Sequence, residues 1–273
     1  KIWTTTLQLQ FGCEDMENVF WNIEKVLPIG IEVRSNVGGR NEQQDYAYIS
    51  SLEKYLICTL CDGMGGMEYG SLASKIAAKT INSHLSCPQK GEDGASFTFP
   101  EMLESAFRYA DRKVYVSSKD SGTTAVTVVL QDGKVYWASI GDTRLYIFRK
   151  GELVQATRDH NYLLQLNRLH SEGGISEGEY HDKIAMGHAL ISYLGMGNAE
   201  LFDLTEMPLQ VHPEDILLLA TDGLHGVVPY EYMKKVLESK NPLKEKADKL
   251  MEFVLNKSAE YVLDNTTFIL IEI

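Results

Sequence analysis

The stretch from 121 to 157 most restricts the folds open to this chain. "SGTTAVTVVL", "KVYWASI", "RLYIFR" and "ELVQAT" follow one another with only Asp132-Gly133, Gly141-Asp142 and Lys150-Gly151 between them. The segments are rich in β-branched and aromatic residues, and each break is a residue pair containing glycine, the chemistry of a tight hairpin turn. Parallel neighbours need a long crossover, so segments this close can pair only as antiparallel strands. The expectation is a meander within one antiparallel sheet, which excludes all-helical and doubly wound parallel folds.

The flanking sequence adds layers. "IGIEVRSNVGGRNEQQDYAYIS" reads as strand, glycine-marked turn and strand, and "YLICTLC" as an apolar strand entering the turn "DGMGG". Two helices follow: "SLASKIAAKTINSHL", and "PEMLESAFRYADRKVYVSS" with proline at its start and Met102, Leu103, Ala106 and Ala110 on one face. Residues 215–220 form a buried strand, 243–262 a helix, and "TTFILIEI" the last strand. Residues 158–198 are polar and poorly periodic after Leu169, which suits a mobile surface flap beside a substrate. Ahead of all this, Met16, Val19, Phe20, Ile23 and Val26/Leu27 recur at helical spacing until Pro28 and Gly30. The chain therefore divides into an N-terminal extension with an amphipathic helix, 1–28, expected to cap the fold, and a main domain, 29–273. The class is α+β, two antiparallel sheets with helices outside.

Charge narrows the partners. The 26 Lys and Arg against 38 Asp and Glu leave a net charge of −12, which disfavours nucleic acid and anionic membranes. No apolar run approaches the roughly 18 residues of a membrane span, and the N-terminus lacks a secretory pattern, so a cytoplasmic protein is expected. Cys58 and Cys61 have C-x-x-C spacing, but strand alternation sends them to opposite faces, as two reduced core thiols.

Three acids stand where apolar strands meet a small or amide residue: Asp62-Gly63, Asp222-Gly223 and Asp264-Asn265. Singly, each is an ordinary turn. Delivered together by the core strands of one fold they would repel one another unless a hard cation held them, and oxygen-only ligation favours Mg²⁺ or Mn²⁺ over zinc. The histidines of "GGISEGEYHDKIAMGHA" fit no zinc spacing.

"RNEQQD" (40–45), "DGMGG" (62–66), "SGTTA" (121–125), "GDTRLY" (141–146), "DGL" (222–224) and "DNTT" (264–267) resemble, in order and spacing, the protein phosphatase 2C family of metal-dependent serine/threonine phosphatases, its bacterial type above all. The resemblance covers about residues 30–273, the main domain. It implies a four-layer α/β/β/α sandwich with two Mn²⁺ or Mg²⁺ ions per subunit at one end, and hydrolysis of phosphoserine and phosphothreonine by a water bridging the metals. It implies Asp62 as the carboxylate shared by both ions, the Gly63 carbonyl on the second, and Asp222 and Asp264 on the first. Arg40, five residues before Asp45, would grip the phosphate, and Asp45 would order metal-bound water. Phosphoproteins would be the substrates, including a Ser/Thr kinase and its targets or an anti-sigma-factor antagonist. A metal pair clamping phosphate oxygens and a planar guanidinium suit a phosphomonoester dianion on chemical grounds alone.

The chain departs from the family pattern in three places. Gln44 replaces a glutamate, keeping a carbonyl oxygen for a metal water but no charge. Met64 stands where animal members have a histidine; His225, expected as an exposed turn residue, is a weak substitute as general acid. Gly226 replaces an aspartate that, with the acid matching Asp142, holds a third ion. That ion should be weak or absent, and Gly226→Asp should strengthen it unless position 226 needs a positive φ. The alternative reading is a catalytically weak relative that binds phosphoproteins or regulates them. The Ser and Thr of "SGTTA" lack a nearby base and are expected to pack under the site.

Overall fold

The computed structural model describes residues 29–52, 55–65, 69–87, 97–118, 120–260 and 262–273; the helix expected over 14–27 lies outside them. In chain order the elements are β1 (Gly30–Asn36), β2 (Asp45–Ser51), β3 (Tyr55–Met64), α1 (Tyr69–Ser86), α2 (Phe99–Ser117), β4 (Gly122–Thr123), β5 (Ala125–Gln131), β6 (Lys134–Ile140), β7 (Arg144–Arg149) and β8 (Glu152–Gln155). They continue with α3 (Tyr162–Ser171), α4 (Glu177–Lys183), β9 (Asp203–Leu204), β10 (Leu209–Gln210), β11 (Ile216–Ala220), α5 (Asp222–His225), α6 (Tyr230–Glu238), α7 (Leu243–Asn256) and β12 (Thr266–Glu272).

Two antiparallel sheets result, one ordered β1-β12-β11-β7-β8 and one ordered β10-β6-β5-β3-β2, with β4 and β9 on β3 and β6. Strand alternation builds three apolar layers from them. On β12, Ile269 and Ile271 face the space between the sheets, where they meet Leu60, Val126 and Leu217. Phe268 and Leu270 point the other way, onto Met233, Leu250 and Val254 of α6 and α7. On β3 the thiols divide likewise: Cys58 joins the layer between the sheets and Cys61 the layer under α1 and α2. Both are free and buried, as expected. Because each sheet is covered on both faces, strands such as β11 are apolar throughout. This is the expected four-layer sandwich.

The meander is not one sheet. β5 and β6 pair in one sheet, β7 and β8 in the other, and the chain changes sheets at Gly141-Asp142. Asp132 and Gly133 (φ 49° and 71°) and Lys150 and Gly151 (50° and 80°) both have the two positive φ values of a type I′ hairpin. At the middle break only Gly141 has one (86°), and β7 pairs with β8 and β11 instead of folding back on β6. Residues 158–198 also differ from expectation, since α3 and α4 occupy much of that span. Both start at side-chain caps, Asn161 accepting from the Leu164 N–H and Ser176 closing a capping box with Glu179. Their short lengths hid the helical period.

Candidate active site

Antiparallel pairing brings the acids together. Asp45 opens β2 and is the register partner of Asp62 near the end of β3. Asp222 follows β11, Asp264 precedes β12, and Asp142 sits at the crossing before β7, all at the same end of the sandwich because β11 runs antiparallel to both β12 and β7. Asp62 and Gly63 lie within β3, Asp62 opposite Asp45 of β2 and Gly63 opposite Thr123 of β4, rather than in a turn.

The backbone here is packed too tightly for side chains. A Cβ on Gly63 would come 2.1 Å from the Gly70 carbonyl, and one on Gly223 2.0 Å from that of Asn265. Threonines brace Asp62: its N–H donates to Thr124 Oγ1 (3.2 Å), and its carbonyl accepts from Thr123 Oγ1 (2.8 Å) and the Thr124 N–H (2.9 Å). The "SGTTA" threonines thus support the site rather than react. Asn265 ties the strand ends, accepting from the Gln44 N–H (2.8 Å) and donating to the Val37 and Glu42 carbonyls (2.9 and 3.0 Å). The backbone carbonyl of Gln44 accepts from the Gly63 N–H (3.1 Å) and Ser74 Oγ (2.6 Å).

The electrostatics are those of an uncompensated acid cluster. Burial pushes the Asp45 carboxyl up to about 7, with Asp222 and Asp264 adding repulsion against hydrogen bonds from threonines. Its Oδ2 accepts from Thr221 Oγ1 at 3.1 Å, whereas Oδ1 is buried without a partner. Burial, then Asp222, pushes Asp142 to about 7. Asp62 and Asp222 are raised as well, by burial first and then by their neighbours, Asp45 for the one and Asp264 for the other. Among the described residues no three His, Cys, Asp or Glu side chains converge at ligating geometry. Asp264 Oδ2 is engaged by Arg40 Nη2 at 2.6 Å. The donors nevertheless suit a hard cation: all are oxygens, one buried oxygen lacks any partner, and the carboxyls of Asp45, Asp62, Asp142 and Asp222 are held toward a neutral form that a cation would reverse.

Two expectations change. His225 is not exposed: it is half-buried against the crossing, with Nε2 3.0 Å from the Asp142 carbonyl, and burial, then Arg144, pushes its pKa down to about 4. A neutral ring donating from Nε2 meets that geometry, so His225 holds the Asp142 backbone. Gly226 has φ −77°, which any residue adopts, yet a Cβ there would come 2.8 Å from the Asp222 carbonyl. The obstacle at 226 is contact, not φ.

Several supports had gone unassigned in the sequence. Arg144 forks onto Asp159 (2.8 and 2.6 Å) and reaches Tyr146 Oη (2.9 Å). Buried His160 accepts the Gly141 N–H at Nδ1 (3.1 Å) and donates its backbone N–H to the Gly141 carbonyl (2.9 Å). Both fix the crossing that carries Asp142. "RDH" at 158–160, just after a strand, was the available signal.

The protein phosphatase 2C family model matches residues 34–266. The chain belongs to the protein phosphatase 2C family. As a bacterial-type member it is an enzyme, a protein serine/threonine phosphatase. It is 30% identical to the serine/threonine phosphatase stp of Listeria monocytogenes serovar 1/2a, over 79% of this chain and 84% of that one. Among solved structures, Stp1 from Staphylococcus aureus superposes with a TM-score of 0.72 at 25% identity, covering 90% of this chain and 95% of the other. The catalytic domain of PstP in complex with two manganese ions gives 0.68 at 25% identity, covering 89% and 97%.

Proposed function

We propose that the acid cluster holds two divalent ions, Mn²⁺ or Mg²⁺, and that the enzyme hydrolyses phosphoserine and phosphothreonine in proteins, a kinase and its targets among them. The unpartnered Asp45 Oδ1 amid carboxyls held toward their neutral forms carries this reading, and the two manganese ions of the PstP catalytic domain support it. Asp62 and the Gly63 carbonyl, with Asp222 and Asp264, would hold the pair. When bound, such a pair neutralises phosphate charge and activates water for in-line attack.

The chain's own residues do the rest. Arg40 is 58% exposed at the mouth and bonded to Asp264 through Nη2, so its fork can turn from the carboxylate to a phosphate without crossing the core. Asp45, held by Thr221 through Oδ2, offers Oδ1 to order an incoming water. Thr123, Thr124 and Asn265 keep the strand ends from yielding to carboxylate repulsion. Asp142 remains for a weak third ion, since Gly226 brings no second acid. The test is turnover of p-nitrophenyl phosphate with Mn²⁺ and after EDTA. Mn²⁺-dependent turnover abolished by EDTA is expected, and turnover indifferent to both would overturn the reading.

No described helix is long and apolar enough to cross a membrane. We propose the 1–28 and 29–273 division as extension and catalytic domain on the sequence alone.

A further inference from the structure

A second cleft of about 990 Å³ opens beside the acid cluster, between the C-terminal turn of α2 and the loop at 193–197. Gly65 lines both this cleft and the one containing Arg40 and Asp45, so the two adjoin at that residue. The walls are apolar side chains left in solvent: Tyr115 is 58% exposed, Val116 78% and Met196 38%. In a chain carrying −12, such residues converging on one opening are a binding feature rather than scattered surface apolarity.

The cleft is built, not incidental. The Asp111 carboxylate, itself buried, accepts from the Gly195, Gly197 and Ala199 N–H groups at 2.8, 3.0 and 3.0 Å, fixing the loop to α2. A Cβ on Gly197 would come 2.9 Å from the Tyr115 ring and one on Gly122 2.4 Å from that of Tyr193, so each ring rests on a glycine. Rigid aromatic walls with one adaptable methionine suit a variable apolar side chain. Exposed Asp120 on the rim disfavours an acidic one.

We propose that this cleft is a specificity subsite that takes a large apolar side chain of the substrate, a few residues from the phosphoresidue, with the intervening chain passing Met64 and Gly65. The inference rests on the phosphatase reading above. The commitment to substrate rather than another partner comes from that adjacency: Met64 and Gly65, which directly follow Asp62-Gly63, line the cleft, so the residues flanking a phosphoresidue held at the acids lie within reach of it.

The experiment compares wild type, Val116→Asp and Met196→Glu, all Mn²⁺-loaded, on phosphothreonine peptides in which one Phe or one Asp is scanned along the flanks, and on p-nitrophenyl phosphate. Burying one such side chain favours the Phe peptide on the order of tenfold in kcat/KM at the best position, through KM. Both variants should erase that preference and leave p-nitrophenyl phosphate turnover unchanged. Fluorescence anisotropy of the same peptides reports occupancy independently of turnover. If p-nitrophenyl phosphate is not hydrolysed, the phosphatase reading fails, while Phe-peptide binding weakened by Val116→Asp still upholds the cleft. No flank preference in wild type, or a preference kept by both variants, overturns the subsite. A concentration-dependent dimer abolished by Val116→Asp overturns it too, by assigning the cleft to a second copy.

Discussion

The acid cluster predicts a metal-free protein that weakens as Asp45 ionises. Its carboxyl is pushed to about 7 by burial and its acidic neighbours, against roughly 3.9 in an unfolded chain. A raised carboxyl binds its proton more tightly when folded, so its contribution is full below the unfolded value and lost as pH rises through the folded one. At 1.36 kcal/mol per unit, the loss from pH 5 to 7 is about 2 kcal/mol, because the carboxyl is still half protonated at pH 7. His225 opposes it: a pKa pushed down to about 4 adds stability that is full above the unfolded value and lost as pH falls through the folded one. The raw pH profile therefore mixes two signs, and the informative quantity is the difference between wild type and Asp45→Asn. Urea melts of EDTA-treated protein should show the variant gaining about 2 kcal/mol on wild type between pH 5 and 7. Saturating Mn²⁺ should remove or reverse that gain, because a cation stabilises the ionised cluster. A difference independent of pH without metal would refute the repulsion argument.

Other perturbations separate the roles. Asp62→Asn should lower turnover at saturating Mn²⁺ by at least about a hundredfold while circular dichroism and apo melting temperature show a folded chain. Arg40→Ala should raise KM for phosphopeptides about ten- to a hundredfold with a smaller change in kcat, and weaken inhibition by inorganic phosphate in parallel. Gly226→Asp should cost about 1–3 kcal/mol in urea melts, because its Cβ would press the Asp222 carbonyl at 2.8 Å. Calorimetry should find two tight Mn²⁺ sites and a weak third in wild type, and no tighter third site in Gly226→Asp, since the displaced Asp222 offsets the added charge.

The sequence revealed what depends on local period. β11 and β12 were legible as short apolar runs, and Cys58 and Cys61 as opposite faces of one strand. The carboxylates were legible because each stands where such a run ends. Which sheet a strand joins was not: at Gly141-Asp142 nothing local distinguishes a hairpin from a crossing, and the difference lies in the distant partner β11 that β7 takes. Caps and braces were hidden for a related reason. Asn265, Thr221 and Asp111 bond to groups 221, 176 and 84 residues away, the Gln44 N–H, the Asp45 carboxylate and the Gly195 N–H, distances that no window of sequence spans. His225 looked exposed because its neighbours are small, but its environment comes from the crossing at Asp142.

That crossing explains why the site lies at this end of the sandwich. Stability resides in the three apolar layers, whose central strands β5 and β11 carry no charge along their length. Buried carboxylates therefore gather near strand ends, and antiparallel order brings the ends of β3, β11, β12 and the β6-to-β7 passage to one edge. There the backbone is held by hydrogen bonds from Thr123, Asn265 and His160 rather than by side-chain packing, so the acids can repel one another without displacing the layers. Weakening a brace should accordingly cost metal affinity before it costs fold. Asn265→Ala removes one acceptor and two donor bonds among strand ends and should lower Mn²⁺ affinity about ten- to a hundredfold with a smaller proportional loss in apo stability. Equal losses in both, or unfolding without metal loss, would show that the site and the core are one cooperative unit.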